Sequence, residues 1–397
     1  MRKWLKRIAL LLVVLVALAA GGAFFIARTA GRAVPRSQAL KGAPQSLHGD
    51  TNILLLGLDS RRANDGSDLP RKLLDLLHVG STSQVGGYNT NTMILIHIPA
   101  NGGRAVAISI PRDDYVEVPG LGMKKIKEAY GLVKYTAETA LVKQGIPNPQ
   151  REFLSRESGR VATITTIHNL LGVPIDHFAE VNLVGFYDLA TALGGVQVCL
   201  KHAVNDSQYS GAVFPAGIQT ITGADALKFV RQRHGLPEGD LDRTHRQQAF
   251  ITGVITKLRS QGIFSDLGKI SALLSVAKKD VVIDSGWDVL GFLPEARSLT
   301  GGHITFYTLP IEGFASRNGQ SVNLIDPVKV RAFVQAVFYP PKITPSASAS
   351  PSSSASSSSV SSSSGTAIPS PTPTLTNNFA ATANGVPVQG GKIPCVN

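Results

Sequence analysis

Cysteine is almost absent from this 397-residue chain, with Cys199 and Cys395 as the two examples, so cross-linking within it is limited to one bond. Charge is sparse too: 17% of residues are charged and 6% are aromatic, and no stretch interleaves aromatic with basic side chains. A base-stacking platform for nucleic acid is therefore not expected, despite a net charge of +12. No internal repeat is visible. The length suits one large domain or two ordinary ones, with ample chain to bury a core.

Part of the positive charge has a membrane explanation. Residues 1–7 carry Arg2, Lys3, Lys6 and Arg7, and the run from Ile8 to Ala27 has no charged residue. As a helix that run spans about 30 Å, the thickness of a bilayer core. Ala17 to Ala23 offers small residues for signal-peptide cleavage, but the run exceeds the usual apolar segment of about 7 to 15 residues, which favours an uncleaved anchor. The basic residues keep the N-terminus in the cytoplasm, so a single-pass protein of the cell membrane with an extracytoplasmic main domain is expected. That compartment permits a Cys199–Cys395 disulfide, whereas a reducing one would leave two thiols.

Residues 28–50 are polar and irregular and read as a juxtamembrane spacer. Asn52–Ser60, Asn91–Ile98 and Arg104–Ile110 then read as strands, the last two joined by a turn short enough for an antiparallel hairpin. VATITTIHNLLG reads as a helix closed by Gly172, IDHFAEV as a strand, GFYDLATALGG as a helix and GGVQVCL as a strand. Thr222 can cap the helix in TGADALKF, with Asp225 at the capping-box position. These alternations predict a layered α/β domain over 51–340 whose sheet is not purely parallel. The Ser/Pro-rich segment 341–375 is a linker, roughly 100 Å long if extended at about 3 Å per residue. Residues 376–397 form a tail containing Cys395.

FVRQRHGLPEGDLDRTHRQQ concentrates charge. Arg231 and Arg233, two apart, point the same way in extended backbone, while Asp240, Arg243, Arg246 and Gln247 fall at helical spacing. Several guanidinium groups in one place make sense around a shared polyanion, and a diphosphate has the right size. Taken alone, a solvated surface helix with ordinary ion pairs is the simpler reading. His234 and His245 have no evident partner in the sequence and read as structural or exposed.

Taken with NILLLGLDSR, NTMILIHI, ISIPRDDYV, KIKEAYG and GVPIDHFAEVNLVGFYDLATALGGVQV, in this order over about residues 50–255, the stretch resembles the LytR-CpsA-Psr family. The resemblance implies a mixed-sheet αβα sandwich with an apolar groove for a polyprenyl chain and an arginine-rich mouth for its pyrophosphate. It implies an enzyme, a phosphotransferase that moves a glycopolymer from polyprenyl pyrophosphate to a peptidoglycan hydroxyl in a Gram-positive type of envelope. Arg61, Arg112, Arg231, Arg233 and Arg243 would then bind pyrophosphate, Arg246 and Gln247 would support that wall, and Asp113 would orient Arg112. Magnesium is the implied cofactor, with Asn91 and Asp240 as its ligands, and Asp240 is alternatively the group that deprotonates the acceptor hydroxyl. A monomer is expected.

Two positions depart from the family pattern. Asn91 stands where the family often has Asp, so it offers a carbonyl oxygen without a charge, and Asp65 or Asp68 are candidates to compensate. Lys127 stands where Asn is frequent. A non-catalytic regulator binding polyprenyl phosphates or wall polymer is the main alternative, and a polyprenyl-pyrophosphate pyrophosphatase is another.

Overall fold

The computed structural model describes residues 34–47, 49–80, 87–263, 266–292, 295, 304–340, 388–389 and 393–397. The apolar run Ile8–Ala27 and the Ser/Pro-rich linker from residue 341 lie outside the described residues. Among the described residues no helix is long and apolar enough to cross a membrane.

In chain order the strands begin with β1 (Arg36–Ser37), β2 (Thr51–Asp59), β3 (Asn89–Ile98), β4 (Ala105–Ser109), β5 (Tyr115–Val118), β6 (Gly122–Lys125) and β7 (His177–Asn182). They continue as β8 (Val196–Leu200), β9 (Val204–Asp206), β10 (Ala212–Phe214), β11 (Gly217–Ile221) and β12 (Val281–Asp284). The last are β13 (Ile304–Thr308), β14 (Gly313–Arg317), β15 (Gln320–Leu324), β16 (Val388–Gln389) and β17 (Cys395–Val396). The helices are α1 (Arg71–Leu76), α2 (Glu128–Lys143), α3 (Gln150–Leu171), α4 (Leu183–Ala192), α5 (Gly223–Arg231), α6 (Asp240–Ser260), α7 (Leu267–Ala277) and α8 (Pro327–Phe338).

The main sheet has the order β1-β12-β7-β2-β3-β4-β13-β16. β2 runs parallel to β7 and antiparallel to β3, and β3 and β4 form the expected antiparallel hairpin, so the sheet is mixed. Alternate side chains of one strand serve opposite faces. Leu54 and Leu56 pack with Ile167 and Leu170 of α3 and with Phe333 of α8. Ile53 and Leu55 turn the other way, towards Ile251 and Ile255 of α6. Helices thus cover both faces, giving the αβα sandwich.

Three local readings hold and two change. Gly172 closes α3 with φ 71° and donates to the His168 carbonyl at 2.8 Å. β7 and α4 follow, as the alternation of IDHFAEV and the helical period after it predict. Cys199 and Cys395 are paired, and the bond fastens β17 alongside β8 in parallel. The segment 28–50, by contrast, is not all spacer: β1 pairs with β12, Val34 and Leu40 are buried, and Arg36 donates to the Asp284 and Trp287 carbonyls. Apolar residues inside a polar stretch were enough to bring it onto the domain. Thr222 occupies the N-cap position of α5, but its hydroxyl donates to Ala190 O and Asp225 pairs with Lys228, so no capping box forms.

Candidate functional site

A cavity of about 540 Å³ lies between the sheet and helices α4, α5 and α6, within the range of ligand pockets. Leu55, Ile94, Ala179 and Val181 line it from the sheet, and Phe186, Leu227, Phe250 and Val254 from the helices. Its mouth is different. Asp59, Arg61, Asn91, Arg112, Arg231, Arg233 and Arg243 gather there, with Gln247 between mouth and apolar interior.

Strand ends and loop geometry put them there. The β2–β3 register shifts between Gly57 and Leu58, and such a bulge re-aims the residues that follow it. Gly57 is required at this point, because a β-carbon on it would lie 2.8 Å from Thr92 Cβ. The displaced end carries Asp59, which accepts from Arg61 Nη1 at 2.8 Å and from Asn91 Nδ2 at 2.8 Å. Asn91 Oδ1 in turn accepts from Arg112 Nη1 at 2.9 Å.

On the opposite wall α6 begins at Asp240. Asp240 Oδ2 is 2.8 Å from Arg243 Nη2, and Asp240 Oδ1 is 3.1 Å from Arg112 Nε. Arg243 also donates to the Asn91 carbonyl at 3.2 Å, tying α6 to β3. Gln248 holds the helix in place, its amide donating to Ser109, the Tyr307 carbonyl and Thr308.

The cations are crowded and not fully satisfied. Burial pushes the Arg243 guanidinium down to about 10, and Arg112 and Arg233 add to the effect against the pull of Asp240. Burial, Arg61 and Arg233 likewise lower Arg231, which donates to the Leu77 and His78 carbonyls. Nε of Arg61, Arg112 and Arg243, together with Asp240 Oδ1, are buried without a hydrogen-bond partner. The 3.1 Å approach of Arg112 to Asp240 is an ion pair out of line for a hydrogen bond. Buried donors left over among mutually repelling cations fit an anion with several oxygens.

Asp113 stands behind the mouth. Lys127 Nζ is 2.6 Å from it, Lys125 Nζ 3.1 Å and Arg112 Nε 3.4 Å, so it does flank Arg112, and Lys127 has a defined role as its partner. Burial alone would raise the Asp113 carboxyl, but these cations hold it at about 2.

Arg246 is not at the mouth. Successive residues turn about 100° around a helix, so Arg246 points away from the face shared by Asp240, Arg243 and Gln247. It is fully buried, donating to Gln232 Oε1 at 2.7 Å and to the Asn397 carbonyl, so it holds the helix from behind. Gln247 does line the cavity and donates to the Val230 carbonyl.

Asp65 and Asp68 do not compensate for Asn91. Asp65 accepts from the Ser67 amide and hydroxyl, and Asp68 faces Arg62 at 3.4 Å. The carboxylate beside Asn91 is Asp59, whose signal in the sequence was its place at the end of NILLLGLDSR. Asp59, Asn91 and Asp240 offer oxygens of the type magnesium takes, two of them from carboxylates. Asp240 Oδ1, paired with Arg112 at 3.1 Å but accepting no hydrogen bond, is the observation that favours such a fit.

Residues 26–336 match the model of the LytR_cpsA_psr family. The chain is 40% identical to the cell wall biosynthesis protein LcpA of Corynebacterium glutamicum, over 77% of this chain and 57% of that protein. It is 29% identical to the polyisoprenyl-teichoic acid–peptidoglycan teichoic acid transferase TagU of Oceanobacillus iheyensis, over 81% and 88% respectively. The matched region thus spans under two thirds of LcpA, and of its relative LcpB as well, where it covers 61%. Among solved structures, Bacillus subtilis TagV superposes with a TM-score of 0.52 at 21% identity, covering 73% of this chain and 97% of that one, which supports the fold.

Proposed function

The chain belongs to the LytR-CpsA-Psr family, and from that premise we propose that it transfers a phosphate-linked glycopolymer from a polyprenyl-pyrophosphate carrier to a peptidoglycan hydroxyl. The observation that carries this reading is one stripe of α6. Arg243, Gln247, Ile251 and Val254 follow at spacings of three and four, line the cavity, and change from charged to apolar along the helix, with Asp240 one turn before them paired to Arg243. A ligand lying along this stripe needs an anionic head and a long apolar tail. The name of TagU, a polyisoprenyl-teichoic acid–peptidoglycan teichoic acid transferase, agrees with such a substrate.

In the reaction the acceptor oxygen attacks the phosphorus that bears the glycan, the bridging P–O bond breaks, and polyprenyl phosphate leaves. Arg61, Arg112 and Arg243 supply fixed donors where charge builds on the phosphoryl oxygens, without reorganisation during the step. Arg231 and Arg233 hold the head from the other side of the mouth. As the alternative to holding magnesium, Asp240 Oδ1 would accept the hydroxyl proton. Magnesium, held by Asp59, Asn91 and Asp240, would neutralise charge on the two phosphates when bound. The apolar run Ile8–Ala27 would anchor the chain, with the domain outside the cell membrane.

The test is to incubate the purified chain with polyprenyl-pyrophosphate glycan, peptidoglycan oligomers and magnesium, and to look by mass spectrometry for the phosphodiester-linked product. Binding without product would reject the transferase in favour of a regulator. Release of glycan phosphate to water would favour a pyrophosphatase.

A further inference from the structure

We propose that Tyr209, stacked on His234 at the rim of the arginine mouth, is a platform for the pyranose ring that lies next to the pyrophosphate. The two rings have centroids 3.9 Å apart and are 13° from parallel. Tyr209 is nevertheless 62% exposed, so with one face covered by His234 the other faces outward. It lines the same cavity as Arg233, the residue before His234.

The platform is rigid. Tyr209 belongs to the turn between β9 and β10, where the buried Asp206 accepts from the Ser210 hydroxyl and amide, and the Asp206 carbonyl accepts from the Tyr209 and Gly211 amides. Gly211, at φ 75°, rests on His78, where a β-carbon would come within 2.9 Å of the imidazole. The turn is thereby seated on His78, just after α1. What sets Tyr209 apart is its place: with one face covered by His234, it offers a flat apolar surface beside the arginine mouth.

The chemistry that matches is a sugar. A pyranose presents a face of C–H groups to the electron-rich face of an aromatic ring, and its hydroxyls remain free to meet polar neighbours such as Arg233. Two rings can reach this place in the proposed reaction: the first sugar on the carrier pyrophosphate, or the sugar of the peptidoglycan acceptor. The inference rests on the function proposed above.

The experiment uses the full chain and two probes, polyprenyl pyrophosphate and the same lipid bearing one N-acetylhexosamine on its distal phosphate. Tyr209→Ala is expected to weaken binding of the sugar-bearing lipid about five- to tenfold, the size of an aromatic stacking contact. The sugar-free lipid should bind as before, and Tyr209→Trp should restore the loss. If donor binding is unchanged but KM for peptidoglycan oligomers rises by a similar factor, the ring received is the acceptor's and the platform stands. Equal weakening of both lipids, or no change in donor binding or acceptor KM, overturns it. Failure of the parent chain to bind either lipid would instead reject the proposed function.

Discussion

Replacing Asp113 by Asn removes the one carboxylate shared by Arg112, Lys125 and Lys127. These cations hold the carboxyl at about 2 against an ordinary 3.8, overcoming the effect of burial. At about 1.4 kcal/mol per pH unit, that gap is worth about 2 kcal/mol at neutral pH. Lys127 offsets part of it, because burial, Arg112 and Lys125 lower its own pKa. A carboxyl whose folded pKa lies below its unfolded value contributes fully above about pH 5, and the contribution fades as pH falls through about 2.

Urea unfolding at pH 7, 4, 3 and 2 reads this directly. Asp113→Asn should be less stable than the parent by about 1 to 2 kcal/mol at pH 7, with the difference closing towards pH 2. An undiminished difference at pH 2 would refute the electrostatic argument and assign the loss to packing.

Arg231→Ala or Arg243→Ala should each lower transfer turnover by about 2 to 4 kcal/mol, the size of a lost oxyanion donor, and near-normal rates in both would remove their assigned roles. Gly57→Val drives a β-carbon against Thr92 beneath Asp59; a stability loss of about 1 to 3 kcal/mol by urea unfolding is expected, together with impaired transfer. Asn91→Asp adds a carboxylate beside Asp59 and should lower the magnesium concentration for half-maximal turnover, while an unchanged titration would place residue 91 outside the metal shell. The Cys199–Cys395 bond spans 196 residues of sequence, so Cys199→Ser should cost about 2 to 5 kcal/mol by unfolding under non-reducing conditions, with no difference under reductant.

Strands β2, β3, β4 and β7 of the main sheet were legible because each pairs a short apolar run with a turn signal. The arginines were legible by type and by their order along the chain. The groups around them were less so: Asp59 pairs with Arg61, and Lys125 and Lys127 pair with Asp113, through contacts that no spacing within one segment announces. Arg246 supports the wall from behind rather than lining the mouth. Its spacing from Asp240 resembles that of Gln247, but one residue rotates it about 100°, enough to exchange the mouth for the back of the helix. The pairing of β1 with β12 was equally hidden, since a two-residue strand has no period to read.

Those two adjacent residues also explain how α6 can be both wall and anchor. Asp240 to Gln247 is seven residues, about 10 Å along the axis, and Gln247 to Val254 is as much again. Cations stop where the first segment ends, so a charged head moving deeper would lose its donors and enter a wall of Ile251, Val254 and Phe250. Desolvating a phosphate there without partners is unfavourable by several kcal/mol. For the proposed substrate, the change in the stripe would hold the head at the mouth and the tail in the interior, leaving the acceptor to approach from solvent. Arg246, bound to Gln232 and the Asn397 carbonyl, fastens the same turn that carries Gln247. The transition from charged to apolar wall is held in register with the sheet ends opposite.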